Sequence, residues 1–167
     1  MNTRCLPIDF KSLDQLPKML DILKIPAVIA TPSMGRRLMG LAAKGDEIST
    51  TAQQCDVVIK QADGWQAHNL IWKPALRALE SAIGRKSPDD RPLDRKNAMI
   101  LGSGGLAISL AHGVKKRNGL VSIASGDEVE AQKIAQQAEL RYVPSAKVYE
   151  TLVDVVVVTV PNMDYGT

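Results

Sequence analysis

The stretch NAMILGSGGLAISLAHGV, Asn97 to Val114, decides the fold, because it joins a local structure to a chemistry. Ala98 to Leu101 is an apolar run with the length of a buried parallel strand, and beyond the glycines Leu106, Leu110 and Val114 recur at helical spacing. The reading is a strand, a tight turn and a helix. Gly102, Gly104 and Ala107 fit G-x-G-x-x-G/A, in which the first glycine allows the sharp turn and the second lets backbone N–H groups approach a diphosphate. The small third position lets helix pack closely on strand. A phosphate at such a helix start meets unpaired N–H donors and the positive end of the helix dipole, so no charged side chain is required. Ser103, Gly105 and Leu106 complete the turn and are assigned to the same dinucleotide site. Glycine turns also join strands to helices for structural reasons alone, and the context on both sides favours the dinucleotide reading.

Downstream, Leu120 to Ala124 is a second strand, and Asp127 starts a helix with Glu130 at capping-box spacing. Val129, Ile134 and Ala138 are expected on its buried side. Leu140 to Val143 is a third strand, Ser145 caps a short helix to Leu152, and Val155 to Val160 is a fourth strand. Its run without alternation predicts a strand covered on both faces. Right-handed crossovers give the strand order 3-2-1-4, with the topological switch beside the glycine turn.

Upstream, Gly84 to Lys96 is charged, holds two prolines and lacks periodicity, so it reads as a linker and a domain boundary. Before it, Ala75, Leu76, Leu79 and Ile83 form the apolar face of a helix ended by Gly84. CDVVIKQADGWQAHN, Cys55 to Asn69, reads as a hairpin turning at Asp63-Gly64. Further back, CLPID (Cys5–Asp9) is a short strand, and Ser12 caps a helix carrying Leu13, Leu16, Leu20 and Leu23, with Pro17 tolerable only in its first turn. Ile25 to Thr31 is a strand, and a second helix carries Leu38, Leu41 and Ala42 up to a stop at Gly45.

At 167 residues the chain is long enough to bury a core, as one domain or two small ones. Aromatic content of 4% argues against a base-stacking platform, and the net charge of +3 is scattered except for Lys115, Lys116 and Arg117 at the end of a helix, where cations complement the dipole. No nucleic-acid partner is expected. Two cysteines without a C-x-x-C pair suit a reducing cytosol, each thiol buried and inert. No signal peptide or long apolar span is visible, so the expectation is a cytoplasmic protein without membrane association. His112 has no second ligand near it in sequence, and no metal site is predicted.

The order of segments resembles the shikimate dehydrogenase family, including the dehydrogenase part of bifunctional dehydroquinase–shikimate dehydrogenases. GSGGLA at Gly102 to Ala107 fits the family's glycine turn, G-[AS]-G-G-x-[AGS], and TVPNM at Thr159 to Met163 is similar to its T-P-x-G-M loop beneath the nicotinamide. CLPID looks like the family's YLP strand, and IATPSMGRRL stands in the place of its V-T-I-P-H-K segment. CDVVIKQADGWQAHNLIWKPALRAL resembles the A-V-N-T-V…G-x-N-T-D…F-x-x-A-L passage. The family's opening strand, its S-x-S-x-S-P segment, its closing strands and its substrate-facing glutamine have no counterpart here.

The resemblance implies reversible hydride transfer between NAD or NADP and C3 of 3-dehydroshikimate, with a lysine and an aspartate serving the developing alkoxide. Alignment on Pro32 puts Met34 at the lysine, and alignment on Asn69 puts Ile71 at the aspartate. Neither side chain can relay a proton, so no catalytic residue is assigned. The first asparagine position carries Asp56, and Asn69 alone matches a substrate ligand. Arg36, Arg37, Lys60 and Lys73 are expected to be solvated surface charges, His68 to have a packing role and His112 a structural one. The family's N-R-T after the second strand, which clamps the 2′-phosphate of NADP, is replaced by Ser125-Gly126-Asp127. Asp127 either binds the ribose hydroxyls of NAD or merely caps its helix. Ser125, Asp127 and Thr159 join the glycine turn as cofactor-binding residues.

The expectation is therefore an α/β protein, a small α/β substrate-side domain (1–84), a linker (85–96) and a Rossmann-like parallel-sheet NAD(P)-binding domain (97–167), cut short against the family. Its expected partners are a small-molecule substrate of the shikimate type and a second copy paired through an exposed sheet edge. The rival expectation is a domain that keeps the fold without the catalysis, within a larger polypeptide.

Overall fold

The structure is a computed structural model and describes residues 5, 7, 8 and 13–160. The elements run α1 (Leu16–Ile22), β1 (Ala27–Ile29), α2 (Pro32–Met39), β2 (Lys44–Gly45), α3 (Glu47–Ala52), β3 (Val57–Gln61), β4 (Gly64–His68) and α4 (Trp72–Ala82). Then come β5 (Asn97–Leu101), α5 (Gly105–Lys115), β6 (Leu120–Ala124), α6 (Glu128–Ala138), β7 (Arg141–Tyr142), a 3-10 turn (Ser145–Glu150) and β8 (Val155–Val158). They form two four-stranded sheets, ordered β1-β3-β4-β2 and β7-β6-β5-β8. The second is wholly parallel and has the 3-2-1-4 order expected from right-handed crossovers. The first is mixed: β1, β3 and β4 are antiparallel neighbours and β2 joins β4 in parallel.

The centre of the second sheet is buried on both faces. Ala98 and Ile100 point into one apolar cluster with Ala107, Leu110 and Val114 of α5, while Met99 and Leu101 join Ala124 and Val143 on the other side. Trp72 and Leu76 of α4 and Ile48 of α3 belong to the first cluster, so helices that follow first-sheet strands pack on α5. A separate core under the first sheet gathers Leu16, Leu20, Leu38, Val58 and Trp65. Pro17 falls in the first turn of α1, where its missing N–H costs nothing. The segment 85–96 holds neither helix nor strand.

Several expectations need correction. The second helix ends at Met39 rather than running to Gly45, because Ala43 and Asp46 donate N–H bonds to Trp65 O (2.8 Å) and Ala67 O (3.0 Å) and draw the chain alongside β4 as β2. The helix α3 that follows was not expected, although Asp46 accepts the Ser49 N–H as its N-cap. The hairpin turns at Ala62-Asp63, one residue early, and Gly64, at φ +120°, already pairs with Gln61. Val129 is 80% exposed, since the buried face of α6 runs through Ala131, Ile134 and Ala135, and Ala138 is only half-buried. Ser145 is the first residue of the 3-10 turn instead of its cap, and its hydroxyl donates to Ser125 O. β8 is not covered on both faces: Val156 and Val158, which share one face, are exposed, while Val155 and Val157 on the other meet the core. Cys5 is exposed, whereas Cys55 is buried and its thiol is pushed up to about 11, chiefly by burial. The strand expected over Cys5–Asp9 and the cap at Ser12 lie largely outside the described residues.

Candidate functional site

The ends of the parallel strands carry the site. β5 closes on Gly102, whose φ of +132° is a conformation that side chains rarely adopt, and whose N–H donates to Ala124 O at 2.8 Å. A methyl group there would also run into the Thr159 hydroxyl. Thr159 is itself fixed, its N–H and hydroxyl both donating to Leu101 O at 2.9 and 3.0 Å. Glycine at 102 therefore answers a bend and a close approach together.

Gly104 is the N-cap of α5, extended at φ −89° and ψ 176°, and no side chain caps the helix. A Cβ on Gly104 would meet nothing within 4 Å, so the helix start opens outward. The first intrahelical bond runs from Ile108 N–H to Gly104 O, leaving the N–H groups of Gly105, Leu106 and Ala107 without intrahelical acceptors. Ala107 is fully buried, in keeping with the small third position of the motif. Free donors, a positive dipole end and open space are the requirements of a diphosphate, and the turn meets all three.

Neighbouring loops complete the rim. The Ser125 hydroxyl donates to Ser103 Oγ (3.1 Å) and accepts the Asp127 N–H (3.3 Å), while Ser125 O accepts from Ser145. Asp127 Oδ1 accepts the Glu130 N–H at 3.0 Å, so this residue caps α6. Gly126 beside it is open to solvent. The Ser145 N–H, donating to Glu128 Oε1 at 3.0 Å, holds the Glu128 carboxyl below the usual carboxylate range. All the predicted cofactor residues thus gather where the strand order reverses, which is where open α/β sheets bind ligands.

The predicted substrate side is differently placed. Asn69 is buried, its side-chain amide donating to Gln54 O (3.1 Å) and Ser109 Oγ (2.8 Å), and the Ser109 hydroxyl donates to Gly105 O. Asn69 Oδ1 is buried without a hydrogen-bond partner. Asp56 accepts N–H bonds from Leu70 and Ile71 and so secures the entry to α4. Met34 packs into the first-sheet core, and Ile71 stands exposed at the N-cap of α4. Arg36 and Arg37 are exposed, Lys60 pairs with Asp21, and Lys73 lies over the Trp72 ring. His68 Nδ1 is 3.6 Å from Asp46. Burial pushes the Asp46 carboxyl up, but N–H groups from Ser49 and Asn69 outweigh it and hold the group below its ordinary range.

Sequence reading missed Ser109 and the anchoring roles of Asp46 and Asp56. A hydroxyl inside an otherwise apolar helix face was the available signal for Ser109. Among the described residues no cluster of His, Cys, Asp and Glu is arranged to hold a metal, and no helix is long and apolar enough to cross a membrane.

No family model matches the chain. It is 26% identical over 106 residues to the NADP(+) shikimate dehydrogenase of Syntrophobacter fumaroxidans, covering 64% of this chain and 34% of that relative. Its fold superposes on shikimate dehydrogenase from Aquifex aeolicus with a TM-score of 0.76 at 19% identity, over 92% of this chain and 55% of that one. Quinate dehydrogenase from Corynebacterium glutamicum, solved in complex with NAD, gives a TM-score of 0.74 at 19% identity, over 90% of this chain and 55% of that one. The chain thus spans about a third of the curated relative's length and about half of each solved chain. In sequence and in fold together, it resembles part of a shikimate dehydrogenase.

Proposed function

We propose that this chain binds a nicotinamide dinucleotide at Gly102–Ala107, as the cofactor-holding part of an oxidoreductase of the shikimate dehydrogenase type. The observation that carries the reading is the uncapped, outward-opening start of α5 behind Gly102. In the proposed division, residues 1–84 form the substrate side, 85–96 a linker and 97–167 the cofactor side. A bound nicotinamide would supply the hydride that interconverts 3-dehydroshikimate and shikimate. The chain's own part is to hold the diphosphate on backbone N–H groups and to place the ribose beside Ser125 and Asp127, with Thr159 at the nicotinamide end. Asp127, Glu128 and Glu130 crowd carboxylates at the start of α6, with no arginine between them, which favours NAD over NADP.

The experiment is fluorescence titration of the chain with NADH and NADPH. Binding is expected, with NADH the tighter. No binding of either up to millimolar concentration overturns the reading.

A second reading, a dinucleotide-binding domain without catalysis inside a larger polypeptide, is favoured by Met34 and Ile71. One is packed in a core and the other apolar, and neither can deliver a proton to an alkoxide. Shikimate-dependent reduction of NAD or NADP by this chain would exclude it. Association of two copies through the β8 edge belongs to the same proposal.

A further inference from the structure

Three glycines lie within the described helices, and two of them, Gly35 and Gly105, meet the same side chain. Gly35 is in α2 and Gly105 opens α5, so they belong to helices attached to different sheets. Gln54 crowds both, and at Gly35 the Cys55 carbonyl oxygen comes closer still. A Cβ on Gly105 would lie 2.7 Å from Gln54 Cδ and 2.8 Å from Gln54 Cβ, and a Cβ on Gly35 would lie 2.8 Å from Gln54 Cγ. Gln54 is therefore wedged between the two helices at the positions where each lacks a side chain.

Its backbone is pinned as firmly. The Gln54 N–H donates to Ser49 O at 3.2 Å, and Gln54 O accepts from Asn69, which also holds Ser109 and through it Gly105 O. The next residue, Cys55, donates its N–H (3.3 Å) and its thiol (3.4 Å) to Gly35 O. Besides its bond back to α3, this loop is fixed to α2 and, through Asn69 and Ser109, to the first turn of α5, which carries the free N–H donors.

We propose that Gln54 is a positioning residue of the dinucleotide site: its side chain, seated between Gly35 and Gly105, fixes the start of α5 against the first-sheet unit and thereby sets the affinity for the diphosphate. The inference rests on the cofactor reading above. The work is done by the shape of the side chain, so an unbranched chain of similar length should replace it. The loss of the wedge leaves the N–H donors in place but free to shift, which weakens binding without unfolding the chain.

The test is NADH titration with a melting curve for each variant. Gln54→Ala is expected to bind about tenfold more weakly, the scale of one misplaced hydrogen bond, with a melting temperature within about 3 °C of the parent. Gln54→Met should retain parental affinity. Gly105→Ala should bind poorly, because the methyl group meets Gln54, and the pair Gln54→Ala/Gly105→Ala should bind better than Gly105→Ala alone. Parental affinity in Gln54→Ala overturns the proposal, as does a double variant no better than Gly105→Ala, or a loss of affinity matched by a collapse in melting temperature. A parent chain that binds neither NADH nor NADPH instead overturns the cofactor reading, and this inference with it.

Discussion

His112 lies on α5 with its ring edge-on to Trp72, the centroids 5.9 Å apart, and its Nε2 is buried without a hydrogen-bond partner. Burial pushes the imidazole pKa below its ordinary 6.5, and the nearby Lys116 acts in the same direction against the weaker pull of Glu47. Lys115 and Asp46 also face it, with opposite signs. The unfolded chain then takes up the proton first, so stability is complete above pH 6.5 and falls as pH drops below that value, until the folded imidazole also titrates. The melting temperature should therefore decline between about pH 7 and pH 5, and His112→Phe, which keeps a ring against Trp72, should remove that component of the decline. A parent curve flat across this interval would contradict the assignment. The residue also marks what the sequence could offer: a structural role was legible from its isolation, but the Trp72 contact joins residues forty positions apart.

Among the elements, α4 and α5 depend on one small residue. A Cβ on Gly113 would come within 2.6 Å of Trp72 Cε3 and closer still to Leu76, so the two helices cross at a point with no room for a methyl group. Gly113→Ala gains helix propensity but overpacks this crossing, and is expected to lower stability by about 1–3 kcal/mol in a denaturant titration. An unchanged or raised midpoint would show that the crossing can spread. The β5–α5–β6–α6 unit was legible because each signal lay within a few residues: an apolar run, glycines, a helical period, an aspartate cap. β2 and α3 were not, since the segment after α2 is settled by pairing with β4, some twenty residues downstream. Val129 was misplaced because a lone valine in the first turn of an amphipathic helix fits either face until the sheet beneath it is known. The residues assigned to a cofactor, the glycine turn from a local motif and Ser125, Asp127 and Thr159 from a family resemblance, lie at one end of the parallel strands. Asn69 was read by alignment, and burial gave it a bridging task that no local pattern records.

At the scale of the molecule, Glu80 ties three segments together. Its carboxylate, nearly inaccessible on α4, accepts from Arg85 (2.6 Å) in the charged segment and from Arg117 beyond α5. Arg85 in turn donates to Ser87 O and Pro88 O. Glu80→Gln leaves two partly buried arginines short of a counter-charge and should cost about 2–3 kcal/mol, below the full range for a buried pair because both guanidinium groups retain solvent. A double-variant cycle with Arg117→Ala checks the origin: the two losses should fall well short of adding. A Glu80→Gln protein as stable as the parent would remove the ion cluster from any account of how the segment 85–96 is held.

β8 has a partner on one flank only among the described residues, and four consecutive valines make up that rim with no lysine, proline or bulge to guard it. Such a margin is a template: whatever backbone next lies along it inherits its register, and must bring apolar groups to the faces where Val156 and Val158 stand bare. Among the described residues this edge of the sheet is thereby open to growth, and the identity of a strand laid along it would govern whether this fold is at rest alone or only in company.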